Sequence, residues 1–440
     1  MAVGVGFRRV LLVMFVLASV GATGCWDRIE TSEMSIVGAM AIDEGTEGRI
    51  VVSLEIIDAE SLAVGAGAGS QQGALVGWML REEADSVMHA IRSAQRRIPR
   101  RIFAGQANTV VFGQNLARQG IKQYLDVFER QNQFRRSIVV SVCDTGAGLL
   151  QRPFIEQLPS RTLSGLATHA TASGKTTLVT LNEFLRKLAE PGIEPISMHT
   201  AGRSTEDEYI KRQGEPVEQT KPGVIRDQPL QADREIEGLL DPSSPVLDPI
   251  SESGTAETVP GVTIVLGIAV FRGDRVVGVL DGKDARGFLW AAGRVNGGTF
   301  ALQNPMGNGT VTYEVIRSRA SVSCEILQDS IRISIEISPV LEIAELHNGE
   351  SLSIEGAVKM LEQAADEYIL AEVQNTLRIV QHEFRTDIYG FGQAVYRKRP
   401  ELWRQIEHEW NEQAFPNLEV DVRVSSLLKT AAALLPRIGR

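Results

Sequence analysis

Alternation of apolar and polar residues predicts β-strands in several parts of this chain. Residues 35–43 and 49–57 are rich in apolar and β-branched residues, and the turn residues Glu44 and Gly45 lie between them. This arrangement predicts a β-hairpin. On the same ground we expect further strands over residues 102–112, 137–143, 263–271, 275–280, 310–318, 320–327, 330–337 and 418–424.

A different spacing, with apolar residues three and four positions apart, predicts amphipathic helices. The longest begins at Ser353 and continues past Phe384. Its apolar positions are Val358, Leu361, Ala365, Ile369, Val373, Leu377 and Val380. We expect shorter helices over residues 84–97, 114–130, 145–150, 178–188 and 281–291, and from Pro400 onward.

The order of these elements predicts a multi-domain protein of the α+β or α/β class, in which helices pack on mixed sheets. After a cleaved signal peptide at residues 1–24, we expect an N-terminal α/β domain over residues 25–200. A small β-rich middle domain is expected over 262–308, and a C-terminal α+β domain that contains the long helix over 309–440.

Residues 201–261 differ in character from the rest of the chain. They are rich in Glu, Asp, Pro, Gln and Ser and have no sustained apolar periodicity. Such a segment buries too little apolar surface to offset the entropy lost on ordering. We therefore expect a disordered, acidic surface insertion. The glycine-rich residues 63–70 are likewise expected to form a flexible loop, because Ser70 replaces the last glycine of a phosphate-binding pattern.

The first residues have the pattern of a lipoprotein signal. Arg8 and Arg9 precede an apolar run at 10–20, and small residues then lead to Cys25. The run is about half of the ~20 residues that a spanning helix needs. We expect acylation of Cys25, although Ala22 replaces the large aliphatic residue usual three positions earlier. The alternative is an ordinary cleaved signal with an incidental cysteine.

The composition argues against a nucleic-acid-binding protein and against a disulfide framework. The chain of 440 residues has a net charge of −10, which argues against a nucleic-acid-binding protein. Besides Cys25 there are only Cys143 and Cys324, which we expect to be single buried thiols on strands of different domains. No disulfide framework is therefore expected.

The sequence contains no complete copy of the catalytic motifs compared with it. The residues Ser173 to Thr176 resemble the end of a Walker A loop, but His169 stands where its first glycine is required. No serine has the flanking glycines of a hydrolase elbow. Glu367 and Glu372 are best explained as a charged helix face. We expect no enzyme activity, no cofactor and no metal.

The chain has six histidines, which are candidate metal ligands. No two of them have the spacing of a helical zinc pair. They are His89, His169, His199, His347, His382 and His408. His89, His382 and His408 fall in expected helices, and we interpret them as surface or boundary residues.

Eight arginines make the N-terminal domain locally basic. They are Arg92, Arg96, Arg97, Arg100, Arg101, Arg130, Arg135 and Arg136. One interpretation is a patch that faces anionic lipid headgroups or an acidic partner. The other, which we favour on the sequence, is the solvated face of two helices.

With these residues in place, the chain resembles the Ger(x)C family of spore germination lipoproteins, the C subunits of nutrient germinant receptors. The more specific blocks are GCWDRIE at 24–30 and GIAVFRGDRVVGVL at 267–280. The other matching blocks are residues 42–43, 101–105, 113–121, 387–392 and 399–403. Ala22 and the acidic insertion depart from the family pattern.

The resemblance implies a three-domain α/β protein without known catalytic chemistry, anchored by lipid to the outer face of the spore's inner membrane. Its partners would be two integral-membrane subunits, of A and B type, in a complex that responds to nutrients. Only Cys25 carries over as a functional residue. Gly278 and Gly390 would be positions where a Cβ clashes.

Two other function classes remain open on the sequence. A solute-binding lipoprotein of an uptake system would usually have two similar α/β lobes, and the two halves here differ in element order. A cell-wall hydrolase would digest peptidoglycan, but no motif supports it.

Overall fold

Two β-sheets organise the part of the chain that the computed structural model describes, which comprises Met14 and residues 33–57, 77–151, 158–203, 262–327, 330–346 and 354–429. The expected signal peptide with Cys25, the loop at 63–70 and most of the insertion at 201–261 lie outside these residues. The predicted fold class is confirmed, because both sheets are mixed and helices pack against them.

The first sheet has nine strands in the order β3-β2-β1-β5-β6-β7-β8-β9, and β4 pairs with the start of β1. Its strands are β1 Met34–Glu44, β2 Ile50–Ile57, β3 Gly77–Ala84, β4 Arg101–Phe103, β5 Thr109–Gly113, β6 Val139–Cys143, β7 Ile196–Arg203, β8 Val262–Arg272 and β9 Arg275–Asp281. The predicted hairpin of β1 and β2 is confirmed, with Ile42 opposite Val52. Strands β4, β5, β6 and β7 extend the sheet in parallel with β1.

Helices cover both faces of this sheet. They are α1 Val87–Ala94, α2 Gln114–Gln119, α3 Lys122–Arg130, α4 Gly146–Gln151, α5 Pro159–Thr171 and α6 Leu181–Ala189. Helix α1 begins later than predicted because the Ser86 hydroxyl accepts a hydrogen bond from the His89 amide and caps it. The single helix predicted over 114–130 is divided at Gly120, whose φ of +125° is incompatible with a continuous helix.

The second sheet contains β10 Thr299–Gln303, β11 Thr310–Leu327, β12 Ser330–Leu346 and β13 Glu419–Val424, in that order, with β14 Leu427–Leu428 beside β12. Two strands were predicted over 310–327, but the structure has one strand of 18 residues. Its register shifts between Val315 and Arg317. The bulge accounts for the interruption in the apolar pattern that suggested two strands.

A long helix covers one face of the second sheet, as predicted. Helix α8 Ile354–Arg378 continues as a π-helical segment, Ile379–Phe384. Its predicted apolar stripe is buried from Leu361 to Val380. The remaining helices here are α7 Gly282–Ala291, α9 Phe391–Lys398 and α10 Pro400–Ile406. No helix among the described residues is long and apolar enough to span a membrane.

The stretch 262–308, expected as a small β-rich middle domain, contributes strands to both sheets. Strands β8 and β9 extend the first sheet, whereas β10 begins the second. One hydrophobic cluster runs through both parts, from Val37 to Phe415. The two sheets are therefore joined by a shared core, and the division of the chain into folding domains stays a prediction.

Helices α7 and α8 meet through a buried ion pair. The Arg286 guanidinium donates to both oxygens of Glu372, at 2.9 and 2.5 Å, and Trp290 donates its indole N–H to the same carboxylate. Both charged side chains are less than a tenth exposed. Glu372 is thus a buried partner of Arg286 and not part of a solvated helix face, which corrects the prediction for this residue.

Gly278 is required by close packing between strand β9 and the end of helix α8. A Cβ at this position would lie 2.3 Å from ring atoms of Phe384, which is itself buried. We predict that Gly278→Ala lowers the free energy of unfolding by about 1–3 kcal/mol, the usual effect of overpacking. Denaturant unfolding followed by circular dichroism measures this.

The matched control is Gly165→Ala in helix α5, where a Cβ would meet nothing within 4 Å. It is expected to be neutral or to stabilise the protein by up to about 1 kcal/mol. The effect of Gly278→Ala should also shrink in a Phe384→Leu background. Equal effects of the two alanine substitutions would contradict the packing argument.

Candidate functional site

The predicted site residue Cys25 lies outside the described residues, but the point at which its segment enters the fold is defined. Met34 begins β1 and pairs in parallel with Arg101 of β4. Since β1, β4, β5 and β6 run in parallel, all four begin at one edge of the first sheet. We call this the amino edge.

The eight arginines, which the sequence presents as two separate clusters, lie on segments that lead to the amino edge. Helix α1 and the 3₁₀ segment Gln95–Arg97 run toward it and lead into β4, and helix α3 leads to it through the loop before β6. We call these residues the arginine edge: Arg92, Arg96, Arg97, Arg100, Arg101, Arg130, Arg135 and Arg136. Of these, Arg101 pairs with Met34, and Arg135 and Arg136 lie just before the start of β6, on the same side as the entry of the Cys25 segment.

Few carboxylates neutralise the arginine edge. Arg97 pairs with Glu82 at 2.9 Å, and Arg130 pairs with Asp126 at 2.6 Å. Arg101, Arg135 and Arg136 are exposed and have no ion pair with any described residue. The sequence contributes no acidic residue between 86 and 113 or between 131 and 143. Exposed Glu33 and Glu129 border this edge, and arginines still outnumber the carboxylates around it.

A second notable feature is the loop at 387–392, one of the blocks that carry the family resemblance. Asp387 is fully buried, and its carboxylate accepts hydrogen bonds from the backbone amides of residues 389, 390, 391 and 392 and from the Trp410 indole. Gly390 has a φ of +80°, which confirms that this position favours glycine. Burial raises the pKa of Asp387 to about 6, and the five hydrogen bonds limit that rise.

This loop holds the second sheet against a segment of the first. The Gln393 amide donates to the Gly192 carbonyl at 2.8 Å, and the Glu194 amide donates to the Asp387 carbonyl at 2.8 Å. The Glu194 carboxylate accepts from Asn411 and from the Gly273 amide. A Cβ on Gly192 would lie 2.3 Å from the Gly392 backbone. We call this contact the clasp, and its role is structural.

The Walker-like residues are used by the fold. Thr176 is buried and donates its hydroxyl to the Gly267 carbonyl at 2.8 Å, while the Ser173 hydroxyl bonds the Ala170 carbonyl. The Gly297 carbonyl is 3.0 Å from the position that a Cβ on Gly174 would take. These groups make internal contacts, so the segment has no free cradle for a phosphate.

The histidines give no metal centre in the part of the chain that the structure describes, where no group of three ligands occurs. His89, His382 and His408 are exposed, as predicted. His199 is buried, and neither ring nitrogen has a hydrogen-bond partner among the described residues. Its burial lowers the pKa of the imidazole, so the neutral form is favoured. His347 lies outside the described residues.

Neither Cys143 nor Cys324 forms a disulfide with a described residue. Cys143 is buried on β6, whereas Cys324 on β11 is only half-buried, so the prediction of burial is wrong for that residue. Strand β11 extends beyond its partner β10, which covers only Thr310 to Glu314. The outer half of the hairpin is consequently less covered than its apolar pattern suggested.

Two cavities lie on the surface of the described residues. A crevice of about 370 Å³ lies at the edge opposite the arginines, but its Asp43 carboxylate already accepts two amides, at 2.7 Å each, from Gly146 and Ala147. A broader groove of about 900 Å³ lies between α3 and α6.

Comparison with known families covers most of the chain. Residues 27–198 match the family described as "Spore germination protein N-terminal domain". Residues 266–430 match the family described as "Spore germination B3/ GerAC like, C-terminal". The unmatched stretch between them coincides with the acidic insertion.

Individual relatives are similar over most of their length. The chain is 22% identical to spore germination protein KC of Bacillus subtilis (strain 168), over 96% of this chain and 95% of that protein. It is 20% identical to spore germination protein B3 of the same strain, over 88% and 89%. The crystal structure of the GerBC protein superposes on 91% of this chain and all of its own, with a TM-score of 0.51 at 14% identity. This last likeness concerns the fold.

The buried carboxylate of the clasp leads to a pH prediction. The unfolded chain releases this proton near the ordinary value of 3.8, whereas the folded protein holds it to about pH 6. Since the folded state binds the extra proton, the contribution of Asp387 to the free energy of unfolding falls as the pH rises from about 4 to 6. At about 1.4 kcal/mol per pH unit, the fall is about 3 kcal/mol.

Urea unfolding of the wild type and of Asp387→Asn between pH 4 and pH 7 measures this contribution. The variant, which has no titrating group at this position, is expected to lack that part of the fall. Glu407→Gln, at an exposed position, should keep the wild-type profile. Parallel profiles for the wild type and Asp387→Asn would contradict the prediction.

Proposed function

The chain belongs to the Ger(x)C family of spore germination proteins, and from this premise we propose that it is a lipid-anchored, non-enzymatic subunit of a spore nutrient germinant receptor. The observation that carries the proposal is the match of both family domains, on either side of the insertion, to one chain. The relatives that match this chain over most of their own length are named spore germination proteins.

The proposed anchor is Cys25. It follows two arginines, an apolar run and small residues, in the order of a secretory signal. An acylated cysteine at the new N-terminus holds a protein on a bilayer with roughly 0.8 kcal/mol per buried CH₂ group. The processed chain would then lie on the outer face of the spore's inner membrane. A linker of eight residues would separate Cys25 from the start of β1.

The proposed partners are the integral-membrane A- and B-type subunits of the same receptor. Within the described residues, the polar groups flagged as catalytic candidates are engaged in internal contacts, as with Thr176 and Glu372. This supports a role in assembly and signalling and not in chemistry. A solute-binding lipoprotein is less well supported, because the nine- and five-stranded sheets do not form two similar lobes.

The anchor is tested by Cys25→Ala in the full-length protein. Without the thioether the protein should move from the membrane fraction to the soluble fraction, and germination in response to nutrients should weaken. Cell fractionation with immunoblotting measures the first effect, and the loss of optical density of spores measures the second.

Cys324→Ala is the matched control, because its half-buried thiol is not expected to carry lipid. It should leave both readouts unchanged. Mass spectrometry of the mature N-terminus from the membrane fraction should find an acylated Cys25. Full membrane retention of Cys25→Ala, or an unmodified mature cysteine, would overturn the anchor.

A further inference from the structure

We propose that the arginine edge is a second membrane contact, which lies against the anionic headgroups of the bilayer that holds the acyl anchor. This inference rests on the proposed lipid anchor and adds an orientation to it. The anchor alone keeps the protein near the membrane, whereas the arginine edge would determine which side of the protein faces it.

The length of the linker brings this edge close to the bilayer. Nine residue steps separate Cys25 from Met34, the first residue of β1. At ~3.3 Å per residue the fully extended linker spans roughly 30 Å. Met34 pairs with Arg101, so the arginine edge lies at the end of this short tether. The opposite edge of the sheet lies farther from the tether by the length of the strands.

The charge of the edge suits an anionic surface. Each arginine close to an anionic membrane contributes attraction equivalent to about a fivefold change in affinity, and the effect decays within a Debye length of about 8 Å at physiological salt. Arg101, Arg135 and Arg136 are exposed on adjoining loops and strand ends without a carboxylate partner among the described residues. Several charges can therefore come within this distance at once.

The loops that carry these arginines are held in place, which lowers the entropy lost on docking. The Gln95 side chain bonds both the Ile102 amide and the Arg100 carbonyl. The second loop is fixed by the tilted contact of the Phe128 and Phe134 rings, whose centroids are 4.8 Å apart. The Asn182 amide also donates to the Arg136 carbonyl at 3.0 Å.

The acidic segment between β7 and β8 is attached to the edge of the first sheet opposite the amino edge. Strand β7 is parallel to β6, so its end at Arg203 points away from the amino edge, and β8 returns antiparallel from Val262. The sequence between 204 and 259 contains thirteen acidic and five basic residues. An anionic membrane attracts one edge and repels the segment attached to the other, and both effects favour the same orientation.

Hydrogen–deuterium exchange of the acylated mature protein in vesicles tests the orientation. The vesicles contain either phosphatidylcholine alone or phosphatidylcholine mixed with phosphatidylglycerol. Peptides covering residues 95–104 and 131–138 should exchange more slowly only in the mixed vesicles, and high salt should remove the difference. The variant Arg101→Gln/Arg135→Gln/Arg136→Gln should lose this protection, with docking weakened on the order of a hundredfold.

The matched control replaces three exposed arginines of the second sheet and helix α9, as Arg317→Gln/Arg319→Gln/Arg397→Gln. It has the same net charge as the first variant and should keep the protection. Both variants should remain with the vesicles through the acyl chains. A wild-type protein that does not stay with vesicles would count against the anchor itself.

Anchored wild-type protein without extra protection in mixed vesicles would overturn the membrane contact alone. So would equal loss of protection in both variants, since that would reflect net charge and not this edge. If the triple arginine variant instead loses its association with the A- or B-type subunits while the vesicle exchange is unchanged, the edge binds an acidic protein partner and the lipid assignment is wrong.

Discussion

The pairing of β1 inside the first sheet is the constraint on which the arrangement of this protein depends. The strand lies between β2 on one side and β4 and β5 on the other, and most of its residues are buried. Its direction is therefore set by three partners. Because the chain enters at one end of this strand, the segment from Cys25 reaches the fold at the edge where the parallel neighbours also begin. The positions of the tether and of the arginines follow from the same hydrogen bonds.

The second sheet is held relative to the first by buried polar groups together with a common apolar core. An ionised carboxylate is costly to bury unless donors surround it, and Asp387 has four backbone amides and an indole around it. The same loop touches the Gly192 backbone so closely that no side chain fits. Such a contact tolerates little displacement, so the surfaces of the two sheets are held in one fixed relation to each other.

Several described polar side chains that could have had a catalytic or binding role make internal contacts that stabilise the fold. Glu372 neutralises the buried Arg286, Asp43 caps the backbone amides at 146 and 147, and Thr176 bonds a carbonyl of β8. At the amino edge, Arg101, Arg135 and Arg136 are exposed and have no ion pair with a described residue.

The sequence by itself determined the elements whose signal is local: the hairpin of β1 and β2, the apolar stripe of α8 and the glycine turn at 390. Strands β3, β7 and β10 and helix α5 were missed because their residues lack a clear period of two or 3.6. Only the tertiary structure decided the burial of Glu372, the sharing of 262–308 between two sheets and the gathering of Arg101 with Arg135 and Arg136. These depend on partners distant in the chain, and periodicity reports which face of an element is apolar but not which element will cover it.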